Sequence, residues 1–263
     1  MNIIVCIKQV PASSDVNVDP KTGVLIRDGD NVKMNPYDLY ALERAFDIKK
    51  NQSNAVIHAV TMGPPSAISV LKEALYMGAD KATLISDKRL AGADVYSTAY
   101  TLSQLIRYLG DYSIILCGKQ TTDGDTAQVG PEIAEMLDIP HVCYVKEIIK
   151  IDEKSIIAVA SYDHYDEKVW ISLPCLLTID HGNLVPRLPS FRRKRLKKDE
   201  PIEHVSLKNL EDQDPMHYGL NGSPTQVIEI FPPSKNREST LLEGSGKQLS
   251  EALFDVLKQH KFW

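Results

Sequence analysis

Short apolar runs alternate with amphipathic stretches through the first half of the chain. Ile3 to Ile7 is rich in β-branched residues and predicts a strand. Asn35 and Pro36 then predict a helix start, since Asn suits the N-cap and Pro the first helical position. Leu39, Leu42, Ala45, Phe46 and Ile48 follow at near-helical spacing. Ala55 to Met62 predicts a second strand, and Gly63-Pro64-Pro65 ends it and opens a helix with Ile68, Leu71, Leu75 and Tyr76 on one face. Ala82 to Ile85 predicts a third strand. Asp94 is placed to cap a helix with Tyr96, Ala99, Leu102, Leu105, Ile106 and Leu109 turned inward. Ile114 to Cys117 predicts a fourth strand, and Thr126 to Leu137 the helix after it. This alternation predicts an α/β fold, a mostly parallel sheet with helices on both faces. Ligands of such sheets sit at the carboxyl ends of the strands. The places to expect a site are therefore the loops after Ile7, Met62 and Cys117, and the segment before Asn35.

From about His141 the spacing tightens. Val142 to Ile151, Ser155 to Tyr162 and Lys168 to Ile171 predict strands separated by short polar breaks, an antiparallel extension of the sheet edge. Leu176 to Ile179 predicts one more strand. After Asn183 the chain turns to prolines, charges and few apolar runs, which inside a compact domain is unusual. We read residues 1–186 as the ligand-binding α/β domain and 187–263 as a long C-terminal arm. Its last stretch, Gly246 to Gln259, predicts an amphipathic helix carrying Leu249, Leu253, Val256 and Leu257, expected to dock on a partner chain.

The chain has 263 residues, 43% of them hydrophobic, enough to bury a core. A formal net charge of -5 argues against a general nucleic-acid binder. Neither a leader-like N-terminus nor an apolar run near the roughly 20 residues that span a bilayer stands out, so a cytoplasmic location without membrane insertion is expected. Cys6, Cys117, Cys143 and Cys175 lie far apart in apolar stretches with no CxxC pair, which predicts buried thiols rather than a metal centre. The sequence also lacks a GxxxxGK[ST] loop, a GxGxxG after the first strand, an HExxH and a GxSxG. No side chain is singled out as a general acid, a general base or a nucleophile.

The informative stretch is Gly118-Lys119-Gln120-Thr121-Thr122-Asp123-Gly124-Asp125-Thr126-Ala127-Gln128-Val129-Gly130. It follows a buried strand and opens a helix, with glycines, three threonine hydroxyls and main-chain N–H groups at a helix N-terminus. That combination suits a phosphate or diphosphate. Gly124 is placed to take a positive-φ turn and Lys119 to add charge. Asp123 and Asp125 are expected to cap the helix or bond a ribose hydroxyl. An ordinary capped strand-to-helix turn has the same composition, so this stretch alone leaves both readings open.

Taken together, Ile4-Val5-Cys6-Ile7-Lys8-Gln9-Val10-Pro11, Met34-Asn35-Pro36-Tyr37-Asp38, Thr61-Met62-Gly63-Pro64, Ala74-Leu75-Tyr76-Met77-Gly78-Ala79-Asp80, the Gly118–Gly130 loop and Asn183 with Pro186-Arg187 resemble the electron-transfer flavoprotein beta family over nearly the whole chain. The resemblance implies an adenine-nucleotide alpha-hydrolase-like fold whose arm wraps an alpha subunit. It places the nucleotide against Cys6, against Asn35, Pro36, Tyr37 and Asp38, against Met62, and against Gly118 to Val129.

Housekeeping members of that family hold AMP there and electron-bifurcating members hold FAD. AMP-holding members tend to read Asp-Asp-Asp-Cys-Asn-Gln-Thr-Gly where this chain reads Asp123-Gly124-Asp125-Thr126-Ala127-Gln128-Val129-Gly130. Tyr37-Asp38 and Met62 also resemble the bifurcating kind. The resemblance then implies hydride transfer from NADH to the FAD held here. One electron passes to a second FAD in the alpha subunit and on to an acyl-CoA or hydroxyacid dehydrogenase, the other to ferredoxin or flavodoxin. The basic run after Pro186-Arg187 maps onto the segment that meets the dehydrogenase, with Phe191 as apolar anchor and Arg192 and Arg193 as steering charges; a merely solvated charged loop is the plainer reading. The rival functions are a beta subunit that holds structural AMP and only relays electrons, and a free-standing adenine-nucleotide-binding regulatory domain.

Overall fold

A computed structural model describes residues 1–12, 32–228 and 241–262, and the backbone of residues 17–18 and 25–26. The chain forms two compact units, Met1–Ile228 and Glu229–Trp263. In the first, the elements run β1 (Asn2–Cys6), β2 (Gln9–Pro11), β3 (Asn17–Val18), β4 (Leu25–Ile26), β5 (Val32–Met34), α1 (Pro36–Asn51), β6 (Val56–Met62), α2 (Ile68–Met77), β7 (Lys81–Ile85), α3 (Val95–Leu109), β8 (Ile114–Gly118) and α4 (Val129–Leu137). They continue with β9 (His141–Ile151), β10 (Ser155–Ser161), β11 (Asp166–Ser172), β12 (Cys175–Ile179), α5 (Phe191–Leu196) and β13 (Glu203–Val205).

One nine-stranded sheet dominates, in the order β11-β10-β9-β12-β8-β1-β6-β7-β13. Every pairing from β9 to β13 along that order is parallel, and β10 and β11 add the antiparallel edge that the tight spacing predicts. β12 returns to lie between β9 and β8, so the extension is not a simple meander. β2 with β5 and β3 with β4 form two small separate pairs.

The central strands are apolar and buried along most of their length because helices cover both faces. Ile3 and Val5 of β1, with Ile114 and Leu116 of β8, face the α1 and α2 side, in one core with Leu42, Phe46, Leu71 and Leu75. Ile4 and Cys6, with Ile115 and Cys117, face the opposite way into a second core with Leu102, Leu105, Ile106 and Ile133. The period-two alternation of a strand thus divides one apolar run between two cores.

Asp94 caps α3 as predicted, accepting from the Ser97 amide at 3.0 Å. Three features differ from the pattern-based expectation. Tyr96 stays half exposed, at 50%. The helix after β8 starts at Val129, leaving residues 126–128 as loop. The first compact unit also runs past Pro186 to Ile228. There β13 extends the sheet beside β7, and Val205, Leu207, Leu210 and Tyr218 join the second core. Those four apolar residues are isolated among charges and prolines, so no periodic run announces them. Of the expected arm, residues 229–240 lie outside the described residues; the second unit carries α6 (Gly246–Gln259), with a Ser245/Gln248 capping box and no buried residue.

Candidate functional site

The carboxyl ends of β1 and β8 and the start of α1 meet around one buried carboxylate. Asp38, 5% exposed, accepts from the Lys8 amide at 2.7 Å and from Asn35 Nδ2 at 2.9 Å, and the Gly118 amide also donates to it. Burial pushes its carboxyl up to about 7, against the pull of those donors. Asn35 was expected to cap α1. Its side chain instead donates to the Gln120 carbonyl at 2.9 Å and accepts from the Thr122 amide at 3.3 Å, tying α1 to the loop after β8. A Cβ on Gly118 would stand 2.4 Å from Asp38 Oδ1, 2.7 Å from the Tyr37 carbonyl carbon and 2.8 Å from the Asp38 nitrogen, so only glycine fits there.

The loop from Lys119 to Gln128 is held by its own polar groups. Lys119 bonds Asp180 at 3.1 Å and stands 5.9 Å from the ring centres of both Tyr37 and Tyr144. Asp123 pairs with Lys8 at 2.7 Å; burial raises its carboxyl, but the Lys8 ammonium outweighs this and holds it below the usual range. Asp125 accepts from Gln120 Nε2 at 2.5 Å, and its amide donates to the Thr121 carbonyl at 3.0 Å. Neither aspartate caps α4. The positive-φ positions are Asp125 (53°) and Ala127 (56°) rather than Gly124. Alanine has no side-chain hydrogen bond to support the left-handed region, and strain of that kind gathers at binding sites.

The main-chain N–H groups that follow, of Thr126, Ala127, Gln128, Val129 and Gly130, find no acceptor among the described residues, and the N-cap Gln128 supplies none. A Cβ on Gly130 would lie 2.7 Å from Thr178 Cγ2, so glycine lets the first turn of α4 lie against β12. Unpaired donors at the positive end of a helix, with the neighbouring aspartates already engaged, fit an anionic phosphate group. The donor set suits the phosphate or diphosphate of a nucleotide.

Cys6 and Cys117 are register partners on β1 and β8 and are 9% and 7% exposed. The Cys6 contact and burial raise the Cys117 thiol well above its usual value, which keeps that thiol protonated and unreactive. Met62 ends β6, partly buried against the second core beside Ile85. Lys8, Tyr144 and Asp180 also belong to the cluster, and the pattern reading did not pick them. Lys8 and Asp180 do follow strand ends, which is the signal that finds them. Tyr144 reaches the cluster through a positive φ of 58° inside β9, which no motif marks.

Phe191 and Arg192 lie elsewhere, on α5 against α2, whose C-terminal end sits at the amino edge of the sheet. Both are exposed. Arg193 is turned onto the Met77 carbonyl.

The profile of the electron transfer flavoprotein domain matches residues 22–210. This chain belongs to the electron transfer flavoprotein family. It is 42% identical to the electron transfer flavoprotein subunit beta of Thermoanaerobacterium thermosaccharolyticum, over 98% of each chain. It is 40% identical to subunit CarD of the caffeyl-CoA reductase-Etf complex of Acetobacterium woodii, again over 98% of each. Protein FixA of Bradyrhizobium diazoefficiens is 38% identical, over 98% of this chain and 91% of its own. Within the electron transfer flavoprotein family the likeness is thus to beta subunits, and it is end to end. No helix among the described residues is long and apolar enough to cross a membrane.

Proposed function

We propose that this chain is the beta subunit of a heterodimeric electron transfer flavoprotein and holds FAD at the cluster around β8 and α4. The observation that carries this is the run of unpaired main-chain amides from Thr126 to Gly130 at the head of α4. It is a ready seat for a diphosphate, at a strand end where open sheets bind ligands. Bound there, FAD supplies hydride acceptance from NADH and one-electron donation, chemistry that belongs to the cofactor.

The chain's own contribution is positional. Asp38 and Asn35 lock the loop after β8 to the ends of β1 and α1, and the left-handed residues Asp125 and Ala127 turn the amides outward. Lys8 and Gln120 engage the aspartates that otherwise repel phosphate. Electrons then pass to an alpha subunit, to an acyl-CoA or hydroxyacid dehydrogenase, and to ferredoxin or flavodoxin. A relative named as a subunit of a caffeyl-CoA reductase-Etf complex supports a coupled system of that kind. Pairing with the alpha subunit is supported by α6, which exposes Leu253, Phe254 and Val256. Docking of the dehydrogenase is assigned to Phe191 and Arg192 on α5.

The test is nucleotide extraction from the heterodimer. Two FAD per pair is expected; one FAD with AMP transfers the assignment to a subunit that only relays electrons, and purification as a stable monomer with an adenine nucleotide points to a regulatory domain. Replacing Thr126 and Gln128 together should lower flavin content, and an unchanged content refutes the seat.

A further inference from the structure

The segment from Arg187 to Lys198 carries seven of the chain's 30 basic residues in twelve positions, on a chain of net charge -5. It is fastened at four points. Arg187 forks onto Glu43, with contacts from 2.6 to 3.1 Å, and lies 4.3 Å over the Phe46 ring. The Ser190 amide donates to the Tyr76 carbonyl at 3.0 Å. Arg193 Nη1 donates to the Met77 carbonyl, and Lys197 Nζ reaches the carbonyls of Ala79 and Asp80 at 3.3 Å each. Tyr76 and Met77 belong to the last turn of α2, whose carbonyls have no partner within the helix, and cations complement that end.

Gly78 has a φ of 142°, which disfavours any side chain, and a Cβ there would stand 2.1 Å from Arg193 Nη1 and push the guanidinium aside. The guanidinium occupies the space that glycine leaves open.

Beneath the segment lies a concavity of about 440 Å³ lined by Phe46, Lys49, Lys50, Arg187, Arg193 and Lys197. Its cations are mostly engaged within the chain: Lys49 on Asp80, Arg187 on Glu43, Arg193 and Lys197 on main-chain carbonyls. Two helix C-termini also point their negative ends at it, which opposes an anion. Three apolar side chains are left outward among the remaining basic ones. Leu188, Phe191 and Leu196 are 86%, 81% and 74% exposed, Leu188 ahead of the helix and the other two on six residues too short to persist as a helix without tertiary support.

We propose that Arg193 and Lys197 are positioning residues that clamp α5 onto the end of α2 across Gly78, so that the exposed Phe191 is held as a pre-ordered docking anchor. The partner is an acidic-rimmed apolar pocket on the electron-accepting dehydrogenase, complementary to the surplus of Arg192, Lys194, Arg195 and Lys198. The inference rests on the docking assigned above to Phe191 and gives Arg193 a different task from contact. A helix ordered before the encounter loses less freedom on binding.

Hydrogen exchange on the heterodimer reads the clamp without any partner. The Lys194 and Lys197 amides, which close α5 at 2.8 and 2.7 Å, should exchange on the order of tenfold faster in Arg193→Met. The milder Lys197→Met should show part of that gain, Arg193→Lys should restore part of the protection, and Phe191→Ala should leave exchange unchanged. With the dehydrogenase as electron acceptor, Arg193→Met and Phe191→Ala should each raise its KM without lowering kcat at saturation, and the double variant should show less than the summed effect. Unaltered exchange in both Arg193→Met and Lys197→Met overturns the clamp. Faster exchange with an unmoved KM in both Arg193→Met and Phe191→Ala overturns the docking assignment beneath it. Saturable binding of inorganic phosphate that Arg193→Met abolishes gives the concavity to an anion and overturns the inference.

Discussion

Gly118 at the end of β8 and Gly124 in the loop after it should respond differently to alanine. At Gly118 the new Cβ overlaps Asp38 Oδ1 by most of an ångström, at 2.4 Å, and meets two main-chain atoms of α1 at 2.7 and 2.8 Å. Main chain cannot swing aside as a side-chain tip can, so the first turn of α1 must move. Overpacking of this kind costs about 1–3 kcal/mol. The shift also stretches the bonds that Asp38 accepts from Lys8 and Asn35, and a hydrogen bond to a charged group is worth roughly 1.5–3 kcal/mol. With one such bond partly lost, Gly118→Ala should destabilise by about 3–4 kcal/mol, on the order of 6–16 °C in Tm for a unit this size. Gly124→Ala meets only Thr121 Oγ1, at an ordinary 3.5 Å, with no positive φ to strain. It should melt within about 2 °C of the parent, the usual range for a harmless surface change. Thermal unfolding of the heterodimer, with flavin content measured in parallel, compares them. If Gly118→Ala melts with the parent and keeps its flavin, or if Gly124→Ala is the damaging one, the close approach of β8 to α1 is not what shapes the site.

Three further outcomes test the same cluster. Ala127→Gly should stabilise the nucleotide-free heterodimer by up to about 1 kcal/mol by relieving the left-handed backbone, and Ala127→Val should destabilise it and lower flavin content, as denaturant titration and absorbance will show. Lys8→Met removes a half-exposed ion pair worth at most about 1 kcal/mol to stability, yet it leaves the Asp123 charge beside the free amides. Flavin affinity should fall about fivefold, as expected for an uncompensated charge near a phosphate seat, with little change in Tm. The folded-state carboxyl of Asp38, at about 7, lies above its ordinary 3.8, so in that interval the folded chain holds a proton that the unfolded chain has released. That contribution is intact below the lower value and lost as pH rises to the upper one, by as much as about 4 kcal/mol. Denaturant midpoints at pH 5 and pH 8 should therefore differ more for the parent than for Asp38→Asn, and equal differences refute the assignment.

The sequence by itself determined the layered α/β order. Continuous apolar runs such as Ile114 to Cys117 are stable only between two helical layers, and Asp94 with Pro36 marks helix starts through local chemistry. It also marked where a ligand is to be expected, because the strand ends and the Gly118–Gly130 stretch follow from order along the chain. α6 was legible to the residue, since its capping box and apolar stripe are local.

Only the tertiary structure decided what each polar group does. Asn35 and Asp38 are close in sequence, but their partners Gln120, Thr122 and Gly118 are about eighty residues away, and no spacing rule pairs them. The positive φ fell on Ala127 rather than a glycine because the sheet and α4 fix both ends of the loop. β13 and Tyr218 entered the core for the same reason: they pack against α3 and β7, surfaces that exist only after the rest of the chain has folded.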